Sequence, residues 1–124
     1  MASFHANVFD QGLNYLEANA TRVVLCSQVP TNFTEANVTY KLAEVTVSAT
    51  DYTVAVGDTA GGRKITQDAL TVTGTDNGTA THYAILNVAG SILLAENTMT
   101  NVAITNGATQ DVNSVRVLEI QQPT

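Results

Sequence analysis

Tryptophan is missing from the 124 residues, cysteine occurs once, proline twice, and Lys plus Arg five times. Each shortage excludes something. With Cys26 alone, no disulfide can close within the monomer and no Cys-x-x-Cys redox or metal motif can be written. Five cations against 11 carboxylates leave a formal charge of −6, and such a surface is repelled by phosphate backbones and anionic lipids. Neither nucleic acid nor a membrane is therefore an expected partner. Arg22, Lys41, Arg63, Lys64 and Arg116 are too dispersed for a basic stripe, and the aromatic residues do not interleave with them. No apolar run reaches membrane-spanning length. Met1 to His5 lacks a basic stretch leading into an apolar one, so no secretory signal is expected and the product reads as soluble and made in a cytosol. On that reading the Asn-x-Thr triplets at Asn19, Asn32, Asn37 and Asn77 are Thr-rich composition, not glycosylation acceptors.

What is present is the profile of short strands with polar outer faces: 44% hydrophobic residues, only 13% charged, with Thr, Asn, Ala and Val recurring. A chain of this length forms one domain, residues 1–124, and can bury somewhat under about 70% of its unfolded surface. One segment has helical period. From about Phe4 to Asn19, Phe9, Leu13, Leu16 and Ala20 recur at helical spacing, with Ser3 as the expected N-cap. Gly12 weakens that helix by up to about 1 kcal/mol relative to Ala, so packing of the apolar stripe must hold it.

After Thr21 the period falls to two. Arg22 to Gln28 reads as a buried strand ended by Val29-Pro30, and Phe33 to Val38 stays open between a helical turn and a loop. From Thr39, Ala43, Val45 and Val47 share one face and Glu44, Thr46 and Ser48 the other. The segment Asp51 to Gly62 ends in a flexible Gly57 to Gly62 loop, and Arg63 to Thr75 is expected as one strand. Asn77-Gly78 then predicts a type I′ hairpin turn into a return strand from Ala80 to Val88. Ala89-Gly90 turns the chain into a strand from Ser91 to Thr98, and Asn106-Gly107 turns it again. The last strand, Asp111 to Gln121, carries apolar groups on both faces and is expected to be central or covered. Turns at this spacing predict a mainly β fold, an antiparallel β-sandwich or flattened barrel with one N-terminal α-helix.

Little in the residues points to chemistry, and the chain is not expected to be an enzyme. His5 and His82 lack HxH or HxxxH spacing, so no metal and no cofactor is expected. His82 reads as a strand histidine in register with Ala80, Ala84 and Leu86, and Cys26 as a small buried hydrophobe. Asp51, Asp58, Asp68, Asp76 and Asp111 form no pair with acid–base spacing. Gly57 and Gly61-Gly62 ahead of Arg63-Lys64 have no Walker pattern, and Asp76-Asn77-Gly78 lacks the ligand alternation of a calcium loop. Tyr15, Tyr40, Tyr52 and Tyr83 read as core or interface groups with one polar end. No catalytic, cofactor-binding or metal-ligating residue is assigned.

Taken in chain order, Gly62-Arg63-Lys64-Ile65, Thr71-Val72-Thr73-Gly74-Thr75, Gly78-Thr79-Ala80-Thr81-His82-Tyr83-Ala84-Ile85-Leu86 and Leu93-Leu94-Ala95 resemble a group of small bacteriophage virion proteins. That group is encoded among head and tail structural genes and carries a G-(T/S)-A-T-H-x-A-L-type strand followed by an L-L-A strand. The N-terminal helix and the Val-Val-Leu-Cys-Ser-Gln strand before Pro30 are also similar to theirs, so the resemblance covers most of the chain. It implies a structural protein of the virion, made in the bacterial host cytoplasm. Within that class an acidic, compact chain suits a capsid decoration or cement protein on the outer head surface, away from the packaged DNA. The implied partners are the major capsid protein or other virion proteins, together with copies of itself, a trimer being favoured. A tail, neck or fibre-attachment protein is the alternative within the class. From other classes, the rivals are a carbohydrate-binding host-attachment module and, more weakly, a hydrolase accessory domain.

Overall fold

The computed structural model describes residues 5–121. The fold is mainly β: two antiparallel sheets form a curled, half-barrel or sandwich-like body with one N-terminal helix. The helix, α1, spans Ala6–Asn19 and buries Phe9, Leu13 and Leu16, the stripe its period predicts. Burying each such side chain contributes roughly 1.5–3 kcal/mol, which outweighs the Gly12 penalty. Ser3 and Phe4 lie outside the described residues; the N-cap observed is His5, whose Nδ1 accepts from the Asn7 amide at 3.2 Å. Arg63 fixes the helix to the small sheet, donating from Nε and Nη2 to the two Asp10 oxygens at 2.8 and 3.2 Å.

The strands are β1 (Arg22–Cys26), β2 (Lys41–Thr46), β3 (Tyr52–Val56), β4 (Arg63–Gln67), β5 (Leu70–Gly74), β6 (Gly78–Asn87), β7 (Ile92–Ile104), β8 (Thr109–Val112) and β9 (Val115–Ile120). Six of them form one sheet in the order β7-β6-β1-β2-β5-β8, and three the other, β3-β4-β9. The main core lies between the sheets and under α1, joining Leu13, Val23, Leu25, Ile65, Val72 and Ile85 among others. A smaller cluster on the outer face of the large sheet, including Val24, Cys26, Ala84 and Leu86, is covered by Phe33, Ala36 and Tyr40. The open choice at Phe33 to Val38 thus resolves as a π-helical turn, Glu35–Thr39, closed by Tyr40 N donating to Glu35 O at 2.8 Å.

Several expectations are corrected. The single strand from Arg63 to Thr75 is two strands in different sheets, and the strand from Asp111 to Gln121 is likewise β8 and β9. The reason is parity. Ile65 and Gln67 are buried on odd positions but Val72 and Gly74 on even ones, so one flat strand cannot turn both pairs inward. The slip falls at 68–69 and, opposite it, at 113–114, where Gln67 faces Val115 and Leu70 faces Val112. One continuous two-stranded ribbon therefore bends there from one sheet into the other. β9 is an edge strand, not central, and Leu118 is 45% exposed on it.

The Asn77-Gly78 hairpin is also overturned. β5 pairs with β2 and β8, and β6 with β1 and β7, so the chain crosses the ends of β1 and β2 between them. A type I′ turn needs positive φ at both central residues. Asn77 does not have it, and Gly78 is near-extended at 158°. Instead Thr75 N and Asp76 N both donate to the Leu42 carbonyl, and Asn77 Oδ1 accepts from the Asn106 amide at 3.0 Å. The turn at Asn106-Gly107 does form, with Gly107 at φ 83°. β7 runs on past Thr98 to Ile104, and Tyr52–Val56 is a strand where only a lead-in to the glycine loop was expected. Ala80 packs in the main core while Ala84 and Leu86 lie in the outer cluster, so β6 does not alternate strictly along its length, and its pairing with β7 is irregular between Ala80 and His82.

Candidate functional site

β7 and β8 are the outer strands of the large sheet, and the turn at 105–108 joins them although they do not pair. Gly74 holds the junction: its N–H donates to Ala108 O at 2.8 Å and its carbonyl accepts from Gly107 N at 2.9 Å. A Cβ at this position would overlap the Thr105 carbonyl oxygen, so only glycine permits the approach. Beyond the turn the two strands diverge around a slot of about 570 Å³, walled by residues 98–102 and 110–115. The β7 wall is bulged. His82 faces Thr98 and Ala80 faces Val102, so Thr81 alone stands opposite residues 99–101.

Gln67 and Tyr83 form the floor of the slot. Gln67 is fully buried at the bend of the ribbon, and its Oε1 accepts from the Tyr52 hydroxyl at 3.0 Å. Among the described residues, the buried side-chain polar atoms with no hydrogen-bond partner are Gln67 Nε2 and the Tyr83 hydroxyl. Leaving such a group unpaired costs about 1–3 kcal/mol. Burial raises the pKa of Tyr83; Asn97, its cross-strand neighbour, pulls the other way without completing a hydrogen bond by geometry. Burial, then the charge of Asp51, pushes Tyr52 up as well. Both phenols are therefore neutral donors at physiological pH. The floor offers hydrogen bonds, not charge, and suits recognition better than proton transfer.

The residues singled out from the sequence fall elsewhere, save Tyr83, Asp111 and Tyr52, which touches the slot only through Gln67. Cys26 is fully buried and faces His82 across β1 and β6, a juxtaposition that no sequence spacing shows. It is not an activated pair: Sγ donates to the Ala36 carbonyl at 3.7 Å, burial pushes the thiol up to about 12, and His82 Nδ1 lies 2.8 Å from Thr81 Oγ1. The glycine loop, expected to be flexible, is tied down. Glu119 accepts from the amides of Asp58 and Thr59 at 2.6 and 3.3 Å, so the chain's own carboxylate fills the place an anion would take. Hydrogen bonding from Lys64, assisted by Arg116, lowers the pKa of Asp58.

Each of the five cations is matched to a carboxylate: Arg22 and Lys41 to Glu44, Arg63 to Asp10, Lys64 to Asp58, and Arg116 to Asp58 and Glu119. Asp51 caps a short helical turn through Ser48 N at 2.9 Å, and Asp111 accepts from Thr71 at 2.9 Å. Among the described residues, no three His, Cys, Asp or Glu side chains converge as a metal site, and no helix is long and apolar enough to cross a membrane. Sequence reasoning missed Gln67, although its parity with Ile65 would have placed it on the core face. The chain matches no family model, no curated protein and no solved structure.

Proposed function

We propose that this chain is a structural protein of a bacteriophage particle, a decoration or cement protein that binds the outer surface of the head and stabilises the shell. The observation that carries the reading is the pairing of open strand edges with exposed apolar groups. Val56 on edge strand β3 is 68% exposed and Leu118 on edge strand β9 is 45% exposed. Val8 and Tyr15, more than half exposed, add apolar surface on α1. Open edges and outward apolar side chains are liabilities for a free monomer and assets for one whose neighbours cover them. The resemblance of the Gly78 to Leu86 strand to phage virion proteins supports the same reading, and the acidic surface suits the side of the shell away from DNA.

The partners on this reading are the major capsid protein and further copies of the chain, as a trimer. Densitometry of purified particles tests it. A head decoration protein gives hundreds of copies per particle, and particles lacking it assemble but lose resistance to heat or chelator. A band of a few to a few dozen copies would assign the chain to the tail or neck instead, and unchanged resistance would remove the cement role.

A further inference from the structure

We infer that the slot between β7 and β8 is a binding site for a short, neutral saccharide. This goes beyond the assembly role and does not depend on it. The volume of about 570 Å³ lies inside the roughly 300–1,000 Å³ of ordinary ligand pockets. Its chemistry is specific. The walls are built from Asn101, Gln110 and Asn113, which carry carboxamides, and from Met99 and Val112, which are apolar, while the Asp111 carboxylate turns to Thr71 on the outer face of the sheet. Amides match hydroxyl groups that both donate and accept, and the apolar groups match the C–H faces of a pyranose ring. No cation lines the slot, and all five are engaged with carboxylates elsewhere, so a phosphorylated, sulfated or acidic ligand would find no countercharge there. The slot therefore disfavours an anionic occupant.

The floor supplies the second observation. Gln67 Nε2 and the Tyr83 hydroxyl lie at the slot with their hydrogen bonds unmade. Each exposes under 1 Å², so a ligand reaches them by a small parting of β7 from β8. Those strands do not pair with each other, and the turn at 105–108 is a natural pivot. Met99, unbranched and only partly buried, can give way. Pairing two orphaned groups then favours the occupied state. An extended peptide fits less well, because the bulge at 99–101 breaks the regular edge along which a strand would add.

The test begins with the full chain on an array of neutral and acidic glycans. It continues with a ¹⁵N NMR titration using the best neutral glycan. We expect saturable binding of neutral glycans, shifts in the backbone amides of 98–102 and 110–115, and a shift of the Gln67 side-chain NH₂ signals. Asn101→Ala and Asn113→Ala, both exposed, should each weaken binding by about tenfold, the effect of losing one good hydrogen bond. The paired change Gln67→Leu with Tyr52→Phe removes both members of the floor hydrogen bond and should abolish binding while the melting temperature stays level or rises. The inference falls if no neutral glycan binds, if acidic glycans bind equally well, or if the shifts lie outside the slot. It falls equally if a peptide selected from a displayed random library saturates the slot in place of sugar.

Discussion

The Cys26 thiol is sealed beneath Ala36 and raised to about 12 by burial, so at pH 8 it is a neutral group without access. A thiol-reactive disulfide at that pH should therefore label the native chain no faster than the chain opens, with full labelling in strong denaturant. Fast native labelling would mean that the cluster around Cys26 is loose. The residue's character was legible, because Val23-Val24-Leu25-Cys26 leaves no polar position for a reactive thiol. Gln67 was not, since a polar residue in a Thr-rich strand looks solvent-facing until the parity of Ile65 is followed.

Among the elements, α1 was the most legible, because its stripe of Phe9, Leu13 and Leu16 is read from a single period. Gly12 lies on its exposed side, and a Cβ there would meet Ile120 Cδ1 at an ordinary 3.7 Å. Gly12→Ala should accordingly raise the unfolding free energy by about 0.5–1 kcal/mol in urea titration. Gly74→Ala should do the opposite. The new methyl must displace the turn at 105–108, and the expected loss is about 1–3 kcal/mol, with hydrogen exchange speeding up in β8 first. The short strands were legible as alternation and turns, but their partners were not. Asn77-Gly78 has the composition of a hairpin, yet Leu42 and Asn106 hold its loop in a crossover, and those contacts are 29 or more residues away in sequence.

For the molecule as a whole, several carboxylates sit below their ordinary pKa: Glu44 through Lys41, Asp58 through Lys64, and Glu35 through Thr31. Glu119 does so as well, the amides of Asp58 and Thr59 and the Gln121 side chain overcoming its desolvation. A carboxylate with a lower pKa folded than unfolded binds fewer protons in the native state, so its contribution is complete above the unfolded value and fades as pH falls through the folded one. Thermal melts should be level from pH 7 down to the carboxylate range, about 4.5 for a glutamate, and decline modestly below it, since most of these groups are exposed. A melting temperature unchanged at about pH 3 would show that these contacts do not hold the fold. Fold class was legible from composition and turn spacing. The slot was not, because it is made by two strands failing to meet, which no local pattern encodes.

The bend shared by the two sheets has a mechanical meaning. Gln67 and Val115 stand at that bend and also line the slot, and the same two backbones continue into the small sheet as β4 and β9. A neighbour seated on Leu118 would therefore rest on one of the two backbones that turn at the bend and go on to wall the slot.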